Sequence, residues 1–206
     1  MKRLINIFFA LLLPLAVMAQ SASSNADQLL RQFLQKLEAK TLCSAFTLTV
    51  SDDVASPITY NGKVKMRGER FCLSMLGNEG AYDGKTYYLY SEDTDELTLT
   101  TPTQAELMEA NPLLFARELQ RQSVAKFGSS GKRKDCYVVE LIPNNLAAGI
   151  QKFVITIQKS TLLPLEVVVK ERGAASTVLR FVDAVYEDQV PSFVITKPGA
   201  FVNDLR

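Results

Sequence analysis

The chain contains no histidine and no tryptophan, and only three of its 206 residues are cysteine. Without imidazole, the commonest general base and transition-metal ligand is missing, which removes histidine-dependent catalytic triads and zinc sites together. Cys43, Cys72 and Cys136 lie far apart, with neither CxxC spacing nor a second cluster to hold a metal. An odd number leaves at least one thiol unpaired. An oxidising compartment permits one disulfide, with Cys72 and Cys136 the candidate pair, and burial of all three as small hydrophobes is the alternative. A field of one sign is also absent, because 23 basic side chains face 22 acidic ones. That balance argues against nucleic acid as a partner. No paired carboxylates or activated serine stand out either, so no enzyme, no cofactor and no metal site are expected.

The first residues set the compartment. Lys2 and Arg3 precede an uncharged apolar run over residues 4–17, and Val17-Met18-Ala19 offers the small residues that signal peptidase reads. The run is shorter than the roughly 20 residues of a spanning helix and contains Pro14, so residues 1–19 are expected to be a cleaved signal peptide, not an anchor. Gln20, not cysteine, follows the cut, so the mature protein should be soluble and not itself a lipoprotein. Loss of Lys2 and Arg3 moves the formal charge from +1 to −1. Residues 20–206 are enough for one domain with a single core.

Within that domain the hydrophobic period changes once early. Leu29, Leu30, Phe33, Leu34 and Leu37 recur at helical spacing among polar residues, with Asn25 or Asp27 as the cap, which predicts one amphipathic helix ending near Lys40. From Cys43 onward alternation dominates: Phe46, Leu48 and Val50, then Val64 and Met66, then Phe71, Leu73 and Met75 alternate with polar or charged neighbours. Asp83-Gly84 marks a hairpin, and acidic residues 92–96 make the next turn. Those acids lack the glycine and terminal glutamate of an EF-hand loop. Residues 104–110 and 113–122 predict two short helices broken at Asn111-Pro112. After Gly128 the sheet resumes through residues 136–142, 153–157, 163–169 and 178–186, and a last run closes the chain. Gly128-Ser129-Ser130-Gly131-Lys132 has the wrong spacing for a phosphate loop, and Lys132, Arg133 and Lys134 read as a solvated hairpin tip.

About ten or eleven short strands in meander order result, suiting a sandwich, a barrel or a strongly curled open sheet. Ten strands about 4.8 Å apart and about 20 Å long present on the order of 950 Å² of apolar face. One helix about 22 Å long and two shorter ones cover roughly half of it. The rest must fold onto itself or enclose something.

Five segments carry a resemblance. Residues 61–71 (NGKVKMRGERF), Tyr82-Asp83-Gly84-Lys85-Thr86 followed by Tyr87-Tyr88-Leu89-Tyr90, Asn111-Pro112-Leu113-Leu114, residues 152–157 (KFVITI), and Val202-Asn203-Asp204-Leu205-Arg206 occur in this order. Their order and spacing resemble periplasmic outer-membrane lipoprotein carriers of the LolA type over nearly all of the mature chain. The resemblance implies an α+β, mainly β fold: an incomplete antiparallel β-barrel with a lid of three short helices over an apolar cavity. It implies a monomeric periplasmic chaperone that receives acylated lipoproteins from an inner-membrane lipoprotein-releasing ABC exporter. The cargo would then pass to an outer-membrane lipoprotein acceptor. An envelope-stress regulator that senses lipoproteins on the same half-barrel is the rival from another class. Such regulators usually add a second domain, and none is expected here.

The resemblance also assigns residues. Phe71, Leu73 and Met75 share a strand face and match the family's cavity-side positions; Tyr87 and Leu89, and Leu113, Leu114 and Phe115 at the lid, are the further candidates for lipid contact. Ordinary core packing is the alternative for all eight. Arg67, aligned through Phe71, matches the arginine that bonds lid carbonyls in the closed family members. The family's following proline is replaced here by Gly68.

Overall fold

The computed structural model describes residues 24–52, 56–131, 133–144, 149–173 and 175–206. The expected signal peptide at residues 1–19 and Lys132 of the basic tip lie outside them. The chain opens with helix α1 (Ser24–Ala39), which buries the predicted stripe of Leu29, Leu30, Phe33 and Leu37. Six strands follow: β1 (Thr41–Ser51), β2 (Ile58–Arg67), β3 (Arg70–Met75), β4 (Asn78–Tyr82), β5 (Tyr87–Ser91) and β6 (Glu96–Thr100). Then come α2 (Gln104–Ala110), α3 (Pro112–Arg121) and β7 (Ser123–Phe127). The chain ends with β8 (Cys136–Pro143), β9 (Ile150–Gln158), β10 (Pro164–Glu171), β11 (Ser176–Glu187) and β12 (Phe201–Asp204).

All twelve strands join one sheet in the order β12-β6-β5-β4-β3-β2-β1-β11-β10-β9-β8-β7. Two antiparallel meanders, β1 to β6 and β7 to β11, meet where β1 pairs with β11. The sheet stays open, with β12 and β7 as its edges. This corrects the expectation of ten or eleven antiparallel strands in two ways. The unexpected strand is β7, and β12 runs parallel to β6. Parallel neighbours need a long crossover connection, and residues 188–200 supply it across the outer face of the sheet.

Pairing fixes which side chains share a face. Leu48, Leu179, Val167, Ile155 and Val139 stand opposite one another across β1, β11, β10, β9 and β8. Leu42, Met66, Phe71, Tyr82 and Tyr87 form a second row across β1 to β5. Both rows join the core that also takes in the inward stripes of the three helices, so the helices lie on this face. On the opposite face Ala81, Tyr88, Leu97 and Leu99 form a separate small core, covered by Ile195 of the crossover strap. Phe193 of the strap is buried beneath the Arg70 guanidinium, 5.1 Å from its ring centre. The strap thus covers the apolar part of the outer face, where alternation alone predicts polar or charged residues.

The Asp83-Gly84 hairpin forms as expected between β4 and β5. Partial burial pushes the Asp83 carboxyl up, but hydrogen bonds from the Thr86 and Lys85 amides and the Tyr88 hydroxyl outweigh it and hold the group below its ordinary range. Gly84, at φ 106°, supplies the backbone that an L side chain resists.

All three thiols are free. Cys72 on β3 and Cys136 on β8 have β2, β1, β11, β10 and β9 between them. A disulfide needs Cα atoms within about 7 Å, and strands sit about 4.8 Å apart, so the candidate pair does not form. Burial pushes each of the three thiols above its ordinary value. Only Cys136 is buried, while Cys43 and Cys72 are half-buried, so the alternative of three buried thiols holds for one of them.

Candidate functional site

Between the inner face of the sheet and helices α2 and α3 lies a cavity of about 590 Å³. Its wall is built from alternate residues of five strands: Phe46 and Leu48 of β1, Val64 and Met66 of β2, Phe71, Leu73 and Met75 of β3, Val167 and Val169 of β10, and Leu179 and Phe181 of β11. Ala105, Met108 and Ala110 of α2, Asn111 between the helices and Phe115 of α3 close the other side. Glu171 and Thr177, at the far ends of β10 and β11, are the polar side chains at the rim. Among the described residues Glu171 carries the only charge in the lining, and no cation faces the interior. A neutral, apolar guest suits such a chamber, whereas an anion would find no counter-charge.

Local chemistry explains the chamber's shape. Phe46 lies directly across Gly62 of β2, so that a Cβ there would meet the ring at 2.3 Å and the Ser74 carbonyl at 2.6 Å. Only glycine lets the ring lie flat against the sheet and leave space above it. On the helical side, Thr103 and Glu106 form a capping box at the start of α2. Asn111 ends α2 and caps α3, its Oδ1 accepting from the amides of Leu113 at 3.0 Å and Leu114 at 3.1 Å. Pro112 at the first helical position keeps the two helices separate. Phe115 packs on Phe153 with ring centres 5.9 Å apart. Arg117 of α3 then ties the helix outward, pairing with Glu38 of α1 and, at 3.2 Å, with Glu69 in the β2–β3 turn.

The residues expected from sequence fall into three groups. Phe71, Leu73, Met75 and Phe115 stand on the cavity wall. Tyr87, Leu113 and Leu114 lie behind it: Tyr87 packs 6.1 Å from the Phe71 ring with its hydroxyl over Gly80, and the two leucines are buried in the α3 core. Leu89 is aligned with Leu73 through Gly80 but lies two strands beyond it, where it is exposed. Among the described residues Arg67 bonds no carbonyl of α2 or α3. Its Nη1 donates to the Asp188 carbonyl at 3.0 Å, because the pleat that turns Met66 inward turns the next residue outward.

Several wall residues went unassigned at the sequence level, among them Phe46, Val64, Met66, Val169 and Phe181. Each was visible as an apolar member of an alternating run. What the runs do not reveal is that β1 pairs with β11, which brings the two halves of the wall together.

Among the described residues no group of three or more potential metal ligands comes together, and no helix is long and apolar enough to cross a membrane. The family model described as "Outer membrane lipoprotein carrier protein LolA" matches residues 40–173. No curated protein matches the sequence. Among solved structures, an uncharacterized conserved protein from Thermus thermophilus superimposes with a TM-score of 0.59 at 13% identity, covering 86% of this chain and 98% of that one. A chain of the Pseudomonas aeruginosa MucA/MucB complex gives 0.52 at 14% identity, covering 82% of this chain and 59% of that one. At these identities the two structures share the fold.

Proposed function

The chain belongs to the outer membrane lipoprotein carrier (LolA) family, and from that premise we propose that it is a non-enzymatic periplasmic carrier of acylated lipoproteins. It takes cargo from an inner-membrane ABC exporter, shields acyl chains in the cavity, and hands them to an outer-membrane acceptor. The observation that carries this function is the 590 Å³ space that apolar side chains line but do not fill.

The energetics suit a shuttle. A 16-carbon chain exposed to water costs about 12 kcal/mol at roughly 0.8 kcal/mol per CH₂, so an unshielded anchor stays in its membrane. Complete burial of three chains would exceed the roughly 20 kcal/mol at which non-covalent affinity saturates, and cargo would never leave. A chamber within the roughly 300–1,000 Å³ of ordinary ligand sites holds one chain well and leaves the others only partly shielded. Outward movement of α2 and α3, which close the side of the cavity opposite the sheet, would enlarge it.

Native purification from the periplasm followed by lipid mass spectrometry should recover acyl-bearing species with the protein. Membrane vesicles containing the exporter should release lipoprotein only when both ATP and this protein are present. Bound acyl species without any release would favour the sensing role over transport, and neither result would refute both.

A further inference from the structure

Asn111 is 1% exposed, lines the cavity, and spends only half of its amide on the fold. Its Oδ1 accepts two α3 amides, which fixes the orientation of the side chain, while its Nδ2 is buried with no hydrogen-bond partner among the described residues. A buried donor left unpaired is costly, and beside a binding cavity a guest atom can complete it. Among the described residues no lining side chain other than Asn111 offers a buried polar atom; Glu171 and Thr177 sit at the strand ends.

Resting on the acyl-binding role proposed above, we propose that Asn111 Nδ2, which is fully covered in this closed arrangement, is uncovered as α2 and α3 move outward and then donates to a neutral carbonyl of the bound lipid, an ester or amide at the head of an acyl chain. Two features select that acceptor. A phosphate or free carboxylate would enter a chamber without a cation in its described lining, near the negative Glu171. A bare hydrocarbon leaves Nδ2 unpaired. A neutral carbonyl satisfies the donor at no charge cost and fixes the depth at which the chain's polar junction stops. Because the same side chain caps α3, the guest is coupled directly to the first turn of that helix.

The test compares two probes of equal chain length, 1-palmitoylglycerol and 1-O-hexadecylglycerol, as competitors of N-phenylnaphthylamine fluorescence on delipidated protein. The ester is expected to bind roughly five-fold tighter than the ether, as one hydrogen bond allows. Asn111→Asp keeps the capping oxygen and removes the donor, and Asn111→Ser keeps a capping hydroxyl. Both should lose the ester preference, the readout being the ratio of ester to ether affinity within each protein and not the affinity itself. The infrared band of a ¹³C-labelled ester carbonyl should lie lower in the wild-type complex than in either variant, a signature that helix capping alone does not produce. Equal binding of ester and ether by wild type, or an unchanged preference in both variants, would overturn the role of Asn111 while leaving the acyl cavity intact. Failure of wild type to bind either probe would overturn the cavity's function as well.

Discussion

Gly62 shapes the cavity by having no side chain. The Phe46 ring occupies the place where its Cβ would stand, with the Ser74 carbonyl on the other side of the same point. Gly62→Ala must therefore push Phe46 away from the sheet and toward the chamber, since the backbone carbonyl yields less readily than a ring. The expected outcome is a loss of roughly 1–3 kcal/mol of stability, the usual cost of overpacking. Acyl-probe affinity should fall together with the urea midpoint. A variant as stable as wild type, with undiminished probe binding, would show that the ring has another place to go. Residues of this kind mark the limit of what sequence displays. Phe71, Leu73 and Met75 were legible, because alternation put them on one face and the resemblance said which face. Tyr87 and Leu89 satisfy the same alternation, yet one landed on Gly80 behind the wall and the other beyond it. Nothing in a period of two records how far a strand stands from the helices.

At the scale of elements, the two short helices and the break between them were readable, since Asn-Pro both caps and interrupts. Strand β7 was not. Of its five residues only Ala125 is buried, while Val124 and Phe127 are exposed, so it lacks the oily face by which a strand announces itself. It is held instead by its ladder to β8 and by an ionic link across the outer face, where Glu140 of β8 pairs with Lys126 of β7 at 3.4 Å and Lys152 of β9 at 3.1 Å. Burial pushes the Glu140 carboxyl up, but the two lysines outweigh that and hold it below its ordinary value. A carboxyl lowered by folding contributes stability above its ordinary pKa, and the contribution fades as pH falls through the lowered one. Glu140→Gln is thus expected to cost about 1 kcal/mol at pH 7. The gap between variant and wild type should close as the solution is acidified through the carboxylate range. Urea melts of both proteins at neutral and acid pH measure it, and a gap independent of pH would assign the loss to packing instead of charge.

The whole molecule is a single sheet with two separately covered faces, and this was the least legible level. Local patterns identify strands, but the pairing of β1 with β11 and the parallel return of β12 join segments distant in sequence, which no local period encodes. The inner face is covered by helices that leave a hollow; the outer face is closed by the strap of residues 188–200, with Phe193 and Ile195 over β3 to β6. Lys197 fastens the strap further, bonding Glu79 at 2.6 Å and lying 4.3 Å from the centre of the Tyr90 ring. The division of labour between faces has a measurable consequence. Removing the Phe193 ring leaves a gap beneath Arg70 and costs about 3 kcal/mol, the lower end for loss of a buried phenylalanine because an arginine covers one side of the ring. Amide exchange should then quicken in the strap and in β12, whose position depends on it. Acyl-probe affinity of the folded Phe193→Ala protein should stay near wild type, since the cavity faces the other way. If probe binding fell as the strap loosened, the two faces would be coupled through the sheet, and the strap would have to be counted as part of the binding apparatus.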